Sequence, residues 1–332
     1  MKPTLEEKSL YGEGVQVLNR RADRSVYQIT DETGNAKMIS YEVFEGITVV
    51  YNEVHMQEFS VDINPSEEVF EINHCREGRI ECEFQNGDYL YMADGDFSVN
   101  RKEGTRHHSY FPISHYHGVS ITVVPKLAQR ELDHHFGTGQ INLEQICRAL
   151  CGRRGFFLIR EPEWVEHIFF ELYCLPEQIR KDYFKLKVLE VLLFLSTIGG
   201  ETNQPSVYFP RGQVEKIKII QKQITEHMDK KYTLEQLAAE HEMALTAMKS
   251  CFKGVFGSGI YSYIKRYRMS AAAKMLLETE HTILHIANCV GYENGSKFAA
   301  AFKDVMGMTP REFRQNREGK QYFLHDKMSE WS

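Results

Sequence analysis

Residues able to do chemistry concentrate in two stretches of this 332-residue chain. In the first, His74, His107, His108, His115 and His117 stand close in sequence. Imidazoles ligate many first-row transition ions, and His115 and His117, two apart, share a face if their segment is a strand. Aromatic residues crowd the same region: Tyr51, Phe70, Phe84, Tyr89, Tyr91, Phe97, Tyr110, Phe111 and Tyr116. Small-molecule sites are mostly apolar with a few polar groups, so His74, Tyr91, His108, His115 and His117 form the candidate ligand-binding set. A β core uses aromatics too, and structural or surface histidines are the plain alternative. No metal and no cofactor is expected. The second stretch is basic. Residues 212–320 hold 17 Lys and Arg against 12 Asp and Glu, a balance of +5. The rest holds 23 against 34, a balance of −11, so the overall −6 conceals a cationic third. Such asymmetry points to an anionic polymer as partner.

The elements that position these residues follow from periodicity. Residues 36–125 read as strands. Ile47-Thr48-Val49-Val50-Tyr51 is an unbroken β-branched and aromatic run, Phe70-Glu71-Ile72-Asn73 alternates, and Asn86-Gly87-Asp88 and Gly95-Asp96 supply turns. Short strands with regular turns predict a small sandwich or barrel. From about residue 140 the period becomes helical. Ile141 to Leu150 and Pro162 to Leu175 are short helices, the second with Pro at its start. Pro176 to Ile198 carries Phe184, Val188, Val191, Leu192 and Leu195 at helical spacing, widened by Leu186, Leu189 and Leu193. A helix this apolar needs cover on two sides, from the chain's own core or from a second copy. Gly199 to Pro205 is the clearest linker.

After the linker, helices succeed one another and then repeat. Thr233 and Gln236 form a capping-box pattern. Leu237-Ala238 parallels Ile286-Ala287, Phe252-Lys253 parallels Phe302-Lys303, and Gly257 parallels Gly307. Ile260 to Glu278 is a long helix joining the copies, with Tyr263, Tyr267, Met275 and Leu276 placed for burial. This is internal duplication of a helix–turn–helix pair. The run Ile283-x2-Ile286-Ala287-x2-Val290-Gly291-Tyr292-x5-Phe298-x3-Phe302-Lys303-x3-Gly307-Met308-Thr309-Pro310-x2-Phe313-Arg314 resembles the signature of AraC/XylS-type transcription regulators. Arg268-x3-Ala272-x3-Leu276-Leu277 does so on the linking helix.

The resemblance implies two helix–turn–helix units, each laying its second helix in a major groove, the grooves about 34 Å apart on one DNA face. The first recognition helix would present Thr246, Lys249 and Ser250. The second would present Gly295, Ser296, Lys297 and Ala300, with Asn294 as N-cap. Lys253, Lys303, Arg266, Arg311 and Arg314 are the expected phosphate contacts, which position without specifying. Arg268 would brace the two units. Met248, Phe252, Phe298 and Phe302 are core by spacing. Two departures from the family pattern stand out: Ala244 occupies the first recognition helix's N-cap, and Glu242 stands in the turn before it.

The amino-terminal part resembles, more loosely, the cupin-like sensor barrel and following helices of such regulators. His115-x-His117 is a spacing used by cupin metal sites, but no downstream Glu and Gly pattern completes one. The expected fold is therefore α+β: a cupin-like β-barrel sensor at 1–135, a helical connector with dimerisation helices at 136–198, a linker at 199–212, an all-α double helix–turn–helix domain at 213–317, and a tail at 318–332. The expected function is ligand-responsive, sequence-specific binding of double-stranded DNA by a homodimer, with RNA polymerase as partner if the chain activates and a small-molecule effector at the barrel. A cupin-type metal-binding protein or enzyme with a DNA-binding tail is the alternative. No P-loop, dinucleotide fingerprint or nucleophile elbow suggests an enzyme. Seven scattered cysteines without a CxxC pair, no signal peptide and no long apolar span predict a cytoplasmic chain without membrane contact.

Overall fold

The computed structural model describes residues 2–4, 7–8, 11–12, 14–21, 24–62, 68–83, 88–102, 106–152, 155–160, 162–176, 178–198 and 209–315. The expected tail at 318–332, the linker up to residue 208 and the Asn86-Gly87 turn lie outside them. The chain divides into two compact units: residues 1–83 with 92–206, and residues 84–91 with 207–332. No helix among the described residues is long and apolar enough to cross a membrane.

The first unit carries an antiparallel sheet of eight strands: β1 (Gln16–Arg20), β2 (Arg24–Asp31), β3 (Gly34–Phe44), β4 (Ile47–His55), β11 (Tyr116–Val123), β6 (Val69–Gly78), β9 (Phe97–Lys102) and β12 (Phe156–Ile159), in that spatial order. The sheet is open, with β1 and β12 at its edges. That corrects the expected closed barrel: among the described residues no pairing joins these two strands. β5 (Glu58–Asp62) and β7 (Ile80–Glu83) pair with β10 (Arg106–Tyr110). The sheet also begins earlier than expected, at Gln16 rather than near residue 36.

One face of the large sheet is alternately apolar and takes the helices. α1 (Pro125–Phe136), α2 (Leu143–Cys151), α3 (Glu163–Tyr173) and α4 (Arg180–Thr197) follow the strands. Their Leu132, Ile146, Leu150, Phe169, Phe184, Val188, Val191 and Leu195 bury against Ile47, Val49, Phe70, Ile72, Phe97, Val119 and Ile121. The expected connector at 136–198 is thus part of the first unit's core. On α4 the predicted stripe, Phe184, Val188, Val191, Leu192 and Leu195, is buried. Leu186 and Leu193 are exposed, at 62% and 47%.

The second unit is helical: α5 (Arg211–Glu226), α6 (Leu234–Glu240), α7 (Leu245–Phe256), α8 (Ile260–Glu278), α9 (Ile283–Cys289), α10 (Gly295–Met306) and α11 (Pro310–Gln315). Residues 88–91 of β8 (Asp88–Met92) also fall in it, paired with β13 (Phe209–Pro210) through Tyr89 and Phe209. Two cores flank α8. Tyr263 and Ile260 pack with Val214, Ile217, Leu237, Met248, Phe252 and Phe256. Further along the helix, Met269, Ala272, Ala273 and Leu276 pack with Ile286, Ala287, Phe298, Phe302 and Phe313. One helix buried on different sides along its length is the physical reason α8 lacks a single apolar stripe.

Candidate nucleic-acid interface

The two halves of the helical unit are built alike from local rules. Thr233 caps α6, its hydroxyl accepting from the Gln236 amide at 3.2 Å while the Thr233 amide donates to the Gln236 side chain. Thr282 caps α9 by accepting from the His285 amide. In each half the turn is closed by the same bond: Met243 N–H donates to the Ala238 carbonyl at 2.9 Å, and Tyr292 N–H to the Ala287 carbonyl at 2.8 Å. Each second helix ends on a left-handed glycine, Gly257 or Gly307, whose N–H donates to the carbonyl of Lys253 or Lys303. This is the usual way a helix satisfies its last carbonyls.

The differences lie where the sequence placed them. Asn294 accepts from the Lys297 amide at 2.9 Å and so caps α10. Ala244 at the same point of α7 makes no side-chain cap. Glu242 adopts a left-handed φ of 50°, whereas Gly291 holds the matching place in the second turn with φ 79°. A Cβ on Gly291 would meet the Met228 carbonyl oxygen at 2.7 Å and the Arg268 guanidinium at 3.0 Å. Arg268 donates to the Lys230 carbonyl at 2.6 Å. It therefore joins the chain entering the first half to the turn of the second, the bracing role expected of it. Lys231 and Glu293 add an exposed ion pair at 2.9 Å across the same gap.

Most of the expected contact residues are free of the core. Thr246, Lys249, Ser250 and Lys253 are exposed along one side of α7, as spacing of three and four residues requires. Asn294, Ser296, Lys297, Ala300 and Lys303 are exposed at and along α10, Gly295 is half-buried at its start, and Arg311 is exposed on α11. Met248, Phe252, Phe298 and Phe302 are fully buried beneath them. Thr246 and Ser296, and Lys253 and Lys303, take equivalent places on the two helices, so each presents a hydroxyl near its start and a lysine near its end. Two arginines are engaged inside the protein. Arg314 is half-buried and donates to the His281 carbonyl at 2.6 Å, and Arg266 donates to the Ser258 hydroxyl at 2.5 Å.

The candidate ligand-binding set of the front region does not stay together. Tyr91 falls in the second unit, buried with Tyr89 and Phe209 against Val214 and Ile217. It is a core residue of the helical unit, which corrects its placement in the front pocket. His74 stacks on Phe169 at 4.6 Å between ring centroids, and its Nδ1 lies 3.0 Å from the Tyr173 hydroxyl. Burial lowers its pKa to about 4. His107 and His108 lie on β10, opposite Val61 and Ser60 of β5. His115 and His117 do come together, and they are joined by His55, which the sequence did not single out. His55 sits at the end of β4, far upstream, and only the antiparallel pairing of β4 with β11 brings it near.

Residues 237–316 match the model of a family described as a helix-turn-helix domain. Over 96 residues the chain is 41% identical to the bifunctional transcriptional activator/DNA repair enzyme AdaA of Bacillus subtilis, a match covering 28% of this chain and 46% of that protein. An AraC-like transcription regulator of Streptomyces lividans is 34% identical over 85 residues, 26% of this chain and 28% of the relative. The chain thus spans less than half the length of either relative. Among solved structures, the C-terminal domain of AraT, a response regulator from Geobacillus stearothermophilus, is 30% identical with a TM-score of 0.30, covering 31% of this chain and 85% of that one.

Proposed function

By its carboxyl-terminal domain the chain belongs to the AraC/XylS family of transcription regulators, and from that premise we propose that it regulates transcription by laying α7 and α10 in successive major grooves of double-stranded DNA. The observation that carries this reading is the matched pair of exposed helix faces fixed to one shared helix, α8. Each face offers a hydroxyl (Thr246, Ser296) and lysines (Lys249, Lys253; Lys297, Lys303) above a fully buried aromatic pair or Met–Phe pair. Lysines neutralise phosphates, and short side chains reach base edges or a thymine methyl. The α10 face is short in long hydrogen-bonding groups, so shape and deformability of the DNA share in its specificity.

The first unit supplies the regulatory input. Its open sheet under four helices is the sensing module, and a small-molecule effector is its expected ligand. The exposed residues Ile179, Leu186 and Leu193, spaced by seven residues along and just before α4, form the face of a homodimer.

Salt dependence of binding by the full chain tests the DNA reading. With about six phosphate contacts, log affinity for promoter DNA falls against log salt with a slope of about −5. Lys303→Ala lowers that slope by about 1 while leaving sequence preference unchanged. A slope near zero on DNA fragments selected from the source genome rejects the reading.

A further inference from the structure

We propose that His55, His115 and His117 form a binding site for a divalent first-row transition ion in the first unit. All three histidines belong to the first unit, so the site does not rest on the DNA reading. It departs from the sequence expectation of no metal.

Strand pairing builds the site. On β11, His117 lies opposite Glu53 of β4 on one side and Glu77 of β6 on the other. His115 precedes it by two residues and His55 follows Glu53 by two, so all five side chains share one face. A bulge in the β6–β11 pairing falls between His117 and Gly118, a device that re-aims neighbouring side chains. Gly78, with φ +91°, lets β6 approach here, since a Cβ would lie 2.2 Å from the His115 carbonyl oxygen. Ser114, a non-glycine residue at φ 52°, turns the chain into His115. Left-handed non-glycine residues such as Ser114 gather at functional sites.

The nitrogens are placed for a cation. The Nε2 atoms of His55 and His117 are 3.3 Å apart. Two nitrogens each about 2.0–2.1 Å from a tetrahedral ion lie about 3.3 Å from one another. The ligand atoms of all three rings fall within 4.8 Å, a triangle that small ring rotations close. A plain hydrogen bond between His55 and His117 explains less. It leaves both nitrogens of His115 without a hydrogen-bond partner, one of which an ion would take. Buried polar atoms without partners are rare and costly, and His115 is only 3% exposed.

The charges agree with this. Neutral imidazole is the form that ligates metal. The Glu77 carboxylate lies 3.8 Å from His117 Nδ1 and 3.7 Å from His115 Nε2. It places negative charge on the Nδ1 side of His117, the side from which carboxylates act on metal-bound histidines. Glu53 lies 3.5 Å from His55 Nε2 and adds negative charge. Three imidazoles suit zinc, iron, nickel or copper rather than calcium or magnesium.

The test titrates chelator-treated full-length protein with Co2+, read by its visible d–d absorption, and then adds Zn2+ in competition. The expected result is one Co2+ per chain, displaced by Zn2+. Losing a group behind a ligand costs roughly 10–100-fold in metal affinity, which is the loss expected for Glu77→Gln. His55→Gln and His117→Gln, at half-buried positions, are each expected to lose about 100-fold or more. His134→Gln on an exposed stretch of α1 leaves binding unchanged. Circular dichroism and DNA binding verify that each variant is folded. No stoichiometric Co2+ on the folded wild-type chain overturns the proposal, and so does wild-type affinity in both the His55 and His117 variants.

Discussion

At the scale of single residues, α7 and α10 differ in how they begin. Asn294 satisfies an otherwise free amide of α10, and Ala244 gives the corresponding amide of α7 no side-chain partner. An Asn, Asp or Ser cap contributes about 1 kcal/mol over Ala. Ala244→Asp is therefore expected to stabilise the second unit by about 1 kcal/mol, and Asn294→Ala to destabilise it by about the same. Denaturant unfolding of both variants, with hydrogen exchange resolved on α7 and α10, measures this. Equal exchange protection of the two helix starts in the wild-type chain would count against it. The missing cap was readable from sequence, because N-cap chemistry depends on residues within one turn. The histidine site was readable only in part. His115 and His117 are neighbours in sequence, but His55 joins them through strand register, which no local pattern encodes.

At the scale of elements, the turns inside the two helix–turn–helix pairs carry a matched contrast. Each needs a left-handed residue; one uses Gly291 and the other Glu242. A side chain in that conformation costs roughly 1–2 kcal/mol. Glu242→Gly is expected to raise stability by about 1 kcal/mol. Gly291→Ala is expected to lower it by more, since its Cβ meets the Met228 carbonyl and the Arg268 guanidinium as well. Thermal melts of the pair give both signs, and a stabilised Gly291→Ala would contradict the packing described. The helices of this unit were legible because amphipathic period, caps and duplication agree. The strands were less so. β1 and β2 carry polar residues such as Gln16, Asn19 and Arg24, and β12 is a four-residue strand between helices. The openness of the sheet depends on which strands end it, and that is a matter of long-range pairing.

At the scale of the whole molecule, α4 presents the question of a partner. Leu186 and Leu193 remain exposed, as does Phe194, while Phe184, Val188, Val191, Leu192 and Leu195 are buried. Burying such side chains contributes about 1.5–3 kcal/mol apiece. For the proposed homodimer face, the double variant Leu186→Glu with Leu193→Glu is expected to give a monomer without loss of helix content. Light scattering across a concentration series decides it, and an unchanged dimer mass places the interface elsewhere. The charge division has its counterpart here as well, since the basic surplus of residues 212–320 includes the lysines of α7 and α10.

The reader unit is also discontinuous. Residues 84–91, early in the chain, belong with residues 207–332. Tyr89 and Tyr91 share a core with Phe209, Val214 and Ile217, and Lys218 lies over the Tyr89 ring at 5.5 Å. A chain of two units invites a cut at the linker between them. This chain is not divisible there without cost. A graft taken from residue 207 onward leaves its strand behind and bares Phe209, so a working chimera must carry a replacement for two tyrosines that lie more than a hundred positions upstream.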